Sequence, residues 1–84
     1  MLSSEIKLGT KVVTSFKYVG ERAFIGNVVD IKDNAFKSCP GTWVTIKVTE
    51  TLTSDKDQIA RVRTFGNKIM VPISHIIEII GQEN

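Results

Sequence analysis

Cysteine is almost missing from this chain: Cys39 stands alone, so no disulfide can form within it. Small secreted domains usually rely on several, so a reducing cytoplasm is the expected setting. His75 is the only histidine, and one His with one Cys falls short of a structural zinc site. Long apolar runs are missing too. The richest stretch, Ile73 to Ile80, is broken by Ser74, His75 and Glu78. It is far shorter than the ~20 residues that cross a bilayer, so no membrane partner is expected. Met1 to Glu5 has no basic region leading into an apolar one, so no signal peptide is expected either. The phosphate-binding patterns G-x-x-x-x-G-K-[ST] and G-x-G-x-x-G do not occur. Leu and Ala, both strong helix formers, together number only six. That scarcity disfavours a helix bundle, a coiled coil and a βαβ enzyme.

In their place stand eleven Ile, nine Val and eight Thr, one third of the 84 residues. β-Branched side chains prefer strands, which points to a single, nearly all-β domain. A chain this short buries only about 60–65% of the surface that it exposes when unfolded. It has no room for both a core and a deep substrate cavity, so its surface is where function is expected. Eleven cations against nine anions give a net charge of +2. That excess is too weak to identify a nucleic-acid binder by charge alone. Neither half of the chain is a basic tail.

Residues 1–8 read as a lead-in and Gly9-Thr10 as a turn. Extended runs follow at Thr10 to Phe16 and Ala23 to Ile31, with Gly20 at the tip of the loop between them. Gly26 inside the second run predicts a bulge or sharp bend. Residues 32–41 form the longest irregular connection, with Asp33-Asn34 and Pro40-Gly41 as turn pairs. A third run covers Thr42 to Glu50, Thr51 to Asp57 is a polar loop, and a fourth run covers Gln58 to Phe65. Gly66-Asn67 favours positive φ and predicts a hairpin into a short run at Lys68 to Val71. Pro72, lacking an N–H, ends that ladder. Ile73 to His75 fits one 3₁₀ turn, Ile76 to Ile80 a last strand, and Gly81 to Asn84 a tail. Ile73, Ile76, Ile77 and Ile80 also have helical spacing with Ser74 as N-cap. Seven β-branched-rich residues would make a marginal helix, so turn plus strand is preferred.

Alternation is clearest in the third and fourth runs. Val44, Ile46 and Val48 share the core face; Trp43, Thr45, Lys47 and Thr49 share the other. Ala60, Val62 and Thr64 match the core set, and Ile59, Arg61, Arg63 and Phe65 alternate with them. With Glu50 opposite Gln58, the outer face pairs Lys47 with Arg61, Thr45 with Arg63 and Trp43 with Phe65. Like charges directly opposite on a sheet are unfavourable, and an exposed Trp–Phe pair beside them calls for a reason. Three cations and two aromatics suit nucleic acid, because aromatics stack on bases and cations meet phosphates. Two other readings stay open. Trp43 and Phe65 can cap a minor second core while Lys47, Arg61 and Arg63 keep the sheet soluble. The same residues are also common anchors for a protein partner.

Residues for chemistry are few. His75 sits in an Ile-rich closing segment, where a surface or capping role is expected. Cys39 precedes Pro40 in a loop, and nothing flanking it marks a lowered pKa. The carboxylate pairs Asp30/Asp33 and Asp55/Asp57 lie at a strand end or in a loop, where Asp commonly makes turns. The expectation is a non-enzyme with no cofactor and no metal.

Three segments carry a resemblance. Gly9-Thr10-Lys11-Val12-Val13, Gly26-Asn27-Val28-Val29-Asp30-Ile31, and Val71-Pro72-Ile73-Ser74 with Ile77-Glu78-Ile79 occur in the order found in SH3-like small barrels of the KOW or Tudor type. This resemblance implies a strongly bent five-stranded barrel over residues 9–80 that binds RNA, DNA or a protein through its loops and one sheet face. The middle of the chain, 32–58, carries no matching motif. The aromatic cage of methyl-lysine readers and the acidic loop and paired tryptophans of signalling SH3 domains are absent. An OB-fold is the nearest rival, but it usually places a helix between strands three and four, where Thr51 to Asp57 is too short for one. The expected function is nucleic-acid binding through Trp43, Lys47, Arg61, Arg63 and Phe65. The alternative is an adaptor of the kind found in bacteria and phages, as a monomer or weak dimer.

Overall fold

The structure, a computed structural model, describes residues 6–34, 36–38 and 40–82. Five of the six extended runs are strands: β1 (Thr10–Thr14), β2 (Phe24–Asp33), β3 (Thr42–Thr51), β4 (Lys68–Pro72) and β5 (Ile76–Gln82). They form one antiparallel sheet in the order β4-β3-β2-β1-β5, so the chain meanders from β1 to β4 and then returns to lie beside β1. The return is short because a 3₁₀ turn over Ile73–His75 redirects it immediately after Pro72. β5 continues through Gln82, and Gly81 pairs with Lys11. No helix among the described residues is long and apolar enough to cross a membrane.

The sixth run is not a strand. Residues Lys56–Thr64 form helix α1, which corrects the expected strand at Gln58 to Phe65 and the hairpin built on it. The reason is local. Asp55 is the N-cap, accepting hydrogen bonds from the Asp57 N–H at 2.9 Å and the Gln58 N–H at 3.4 Å. Asp57 lies in the first turn, and Arg61 and Arg63 lie near the end, where each sign suits the helix dipole. Gly66 and Asn67 do adopt positive φ (68° and 63°), but they end the helix instead of turning a hairpin. The Gly66 N–H bonds the Arg63 carbonyl and the Asn67 N–H bonds the Val62 carbonyl, the double closure of a Schellman cap. The helix thus lies between strands three and four, in a place where the polar loop alone looked too short for one. It buries Gln58 and Val62, one turn apart on a single face, and leaves Ala60 and Thr64 exposed.

The core lies on one side of the sheet. Val12, Phe24, Val28, Val44, Ile46, Ile69, Val71 and Ile76 meet there, joined by Ile6, Ala23 and Val62. The third strand behaves as its alternation predicts: Val44 and Ile46 are fully buried, Val48 is half-buried, and Lys47 is exposed. β2 is the strand that bends. It pairs with β1 only over Phe24–Asn27 but with β3 from Phe24 to Asp33, with register shifts beside Gly26 and at Val29. At Gly26 a β-carbon would run into the Lys47 carbonyl and lie 2.7 Å from Ile46 Cγ2. Only glycine permits that approach of two backbones, as its place inside a strand predicts.

Polar contacts join the elements. The buried Gln58 side chain accepts from the Lys17 N–H at 3.2 Å through Oε1 and donates to Asp55 Oδ2 at 3.3 Å, tying α1 to the β1–β2 loop. The His75 carbonyl accepts from the Ser15 N–H and from the Thr14 and Ser15 hydroxyls, which anchors the 3₁₀ turn to the end of β1.

Candidate nucleic-acid interface

Residues paired across neighbouring strands point to the same side of a sheet, so register alone gives the outer face. Lys11 pairs with Asn27, Asn27 with Lys47, and Lys47 with Lys68. These four residues form one row across four strands, three of them lysines. The next row along the strands is Asp30, Thr45 and Met70, and the one after it is Lys32, Trp43 and Pro72. Lys47 and Lys68 are exposed and directly opposite each other. Among the described residues, none of the three lysines makes an ion pair. The pairs that do form are Arg22–Glu78 at 3.1 Å and Lys32–Asp30 at 3.9 Å. On the other side of the lysine row, Glu78, Val13, Ile25 and Glu50 form the adjacent row, so two further acids lie near it.

Trp43 and Lys47 lie on this face, and Phe65 lies beside its β4 edge. Trp43 is half-buried, edge-to-face with Phe36 at 4.8 Å between ring centroids. It lines a cavity of about 310 Å³ with Pro40, Gly41, Pro72 and Ile73. It lies four residues, about 13 Å, from Lys47 along β3. Phe65 is the C-cap of α1 and 65% exposed. It lines a second cavity of about 420 Å³ with Phe16, Thr45, Lys68, Ile69 and Met70. The pairing of Trp43 with Phe65 is overturned, because Pro72 is the residue opposite Trp43.

Arg61 and Arg63 do not join the row. The expected strand placed them on one face, two residues apart; on a helix the same spacing sets them about 200° apart. Arg61 lines a separate cavity with Lys17, Asp57, Gln58 and Ala60. Both exposed arginines have a sufficient role at the negative end of the helix dipole. Lys68 and Lys11 take their places, and the sequence reading missed both. Lys68 lay just beyond the supposed hairpin, and Lys11 is remote in sequence. A capping signature was present for α1: Asp55 followed three residues later by Gln58, with Gly66 just past the end.

The remaining polar candidates have structural work. Asp30 accepts from the Ile31 N–H and pairs with Lys32, and Asp33 accepts from the Thr42 hydroxyl at 2.7 Å. Asp55 is held below its ordinary carboxylate pKa, chiefly by the Gln58 side-chain hydrogen bond. The Asp57 and Gln58 N–H groups and nearby Lys17 act in the same direction. His75 Nδ1 is buried without a hydrogen-bond partner among the described residues. Cys39 lies outside the described residues. Among the described residues, no group of three or more His, Cys, Asp or Glu is placed to hold a metal ion.

Comparison with protein-family profiles, with characterised proteins and with solved structures finds no match to this chain.

Proposed function

We propose that the protein is a non-enzymatic nucleic-acid-binding module of the cytoplasm, built as a small five-stranded SH3-like barrel. Supporting the barrel are the return of β5 to β1, the 3₁₀ turn between β4 and β5, and the close backbone approach at Gly26 that lets β2 serve both halves of the sheet. The observation that carries the binding function is the row Lys11, Asn27, Lys47, Lys68. Placing Lys47 opposite Lys68 opposes folding slightly, and no ion pair among the described residues relieves it. A row of cations with flanking aromatics suits a phosphate backbone, with Phe65 at one end and Trp43 with Phe36 further along the face.

The test is a titration of short oligonucleotides followed by Trp43 fluorescence and by gel shift. Wild-type affinity should fall with salt at a log–log slope of about −2 to −3, the release expected for three phosphate contacts. Replacing Lys11, Lys47 and Lys68 together by Gln should flatten that slope. Absence of any binding at low salt overturns the proposal.

A protein partner is the second reading, favoured by the groove of Trp43, Pro40, Pro72 and Ile73, which lies apart from the lysine row. Apolar grooves of this kind accept a side chain of a partner. In that case Trp43→Ala abolishes capture of a partner that survives nuclease treatment, and the lysine variant does not.

A further inference from the structure

We infer that the nucleic acid taken by this face is single-stranded, with its phosphates along Lys11, Lys47 and Lys68 and a base in the groove beside Lys68. The inference rests on the nucleic-acid reading above and narrows it to a class of ligand. Lys68 belongs to two features at once: it ends the lysine row, opposite Lys47, and it lines the groove of about 420 Å³ formed with Thr45, Phe65, Met70, Phe16 and Ile69. Apart from Lys68 and the Thr45 hydroxyl, the side chains lining that groove are apolar.

Phe65 is the informative residue. It is 65% exposed, yet its place is defined: its N–H bonds the Arg61 carbonyl, and its own carbonyl accepts from the Lys68 N–H at 3.3 Å. The Schellman cap after it fixes the chain direction between α1 and β4. The backbone that carries this exposed ring is thus fixed beside the Lys68 end of the row.

A duplex keeps the faces of its bases stacked inside, and it meets a protein with phosphates, sugars and base edges. It would satisfy the lysines and leave the apolar groove empty. A single strand carries free base faces on the same backbone, and stacking on an aromatic ring accepts any base. The row crosses the strands, which lie about 4.8 Å apart, so Lys11 to Lys68 spans about 14 Å. Because Lys68 and Phe65 line the same groove, a strand with a phosphate at Lys68 can place a base against Phe65, beside the row and not on it.

The experiment uses the whole chain and a labelled DNA strand of about 12 nucleotides, within the footprint range of single-strand-binding domains. The same strand annealed to its complement and the RNA strand of the same sequence are titrated in parallel. Single strands should bind at least about tenfold tighter than the duplex. Phe65→Leu keeps an apolar cover and removes the π-face, so it should weaken single-strand binding about tenfold and leave duplex binding unchanged. Phe65→Tyr should restore it, and circular dichroism should show both variants as folded as wild type. If the duplex binds as tightly as the single strand, or if folded Phe65→Leu binds the single strand like wild type, the single-strand inference falls while the nucleic-acid reading stands. If wild type binds none of the three probes, both fall.

Discussion

The two ends of the sheet use their outer faces differently. In the β1–β5 half, residues Val12 to Ser15 are fully buried, so β1 is covered on both faces beyond Lys11, the half-buried residue by which it joins the lysine row. Glu78, opposite Val13 on that outer face, is paired with Arg22. In the β3–β4 half only the inner face is buried, through Val44, Ile46, Ile69 and Val71. Its outer face is open and carries Lys47 against Lys68 with no ion pair among the described residues. A chain this small has little stability to spare. Leaving like charges opposed on one half while pairing charges on the other separates a half that holds the fold from a half that offers a surface.

The strongest way to break that division is at the bend that joins the halves. Gly26→Val places side-chain atoms against the Lys47 backbone and should cost about 3 kcal/mol or more, at or above the usual penalty of overpacking. Urea denaturation measures it, and a cost below 1 kcal/mol would mean that the two backbones separate easily. Next in size is the link between α1 and the β1–β2 loop. Gln58→Leu removes the acceptor of the Lys17 N–H and the donor to Asp55, and should cost about 1–3 kcal/mol.

Asp55 tests the same helix by pH. Its folded pKa is depressed, so its contribution is complete above the ordinary value of 3.8 and is lost as pH falls through the lower folded value. Thermal melts of wild type should decline more steeply than those of Asp55→Asn over that acid range. Parallel curves would show that Asp55 makes no net contribution through its charge. The smallest effects bear on the charges themselves. Arg22→Gln should cost less than about 1 kcal/mol, because the pair with Glu78 is more than half exposed. Lys68→Gln should change stability in the opposite direction, by a few tenths of a kcal/mol, as the repulsion from Lys47 is relieved. If Lys68→Gln destabilises as much as Arg22→Gln, the two halves do not differ in the way described.

Much of the fold was legible locally. The alternation of Trp43 to Val48 identified both faces of β3, Gly26 marked the bend, and Pro72 with Ile73 to His75 marked the turn before β5. The same alternation misled over Gln58 to Phe65, because Val62 and its neighbours alternate over too short a span to separate period 2 from period 3.6. Gly66-Asn67 did not resolve the question, since a hairpin turn and a Schellman cap both call for positive φ. The capping residues Asp55 and Gln58 were the deciding signal. Of the five expected site residues, Trp43, Lys47 and Phe65 lie on or beside one face and Arg61 and Arg63 lie on α1.

β-Branched content and period-2 alternation act within a few residues of each other, so local sequence is enough to set the class of the domain and the sidedness of its strands. Tertiary structure alone decided which cations stand together. Lys11, Lys47 and Lys68 are separated by 36 and 21 positions along the chain and become neighbours only through the β1–β2, β2–β3 and β3–β4 registers. Those registers follow from the buried faces, the bulges in β2 and the length of α1. A shift of one residue in any of them would turn a strand's lysine to the opposite face.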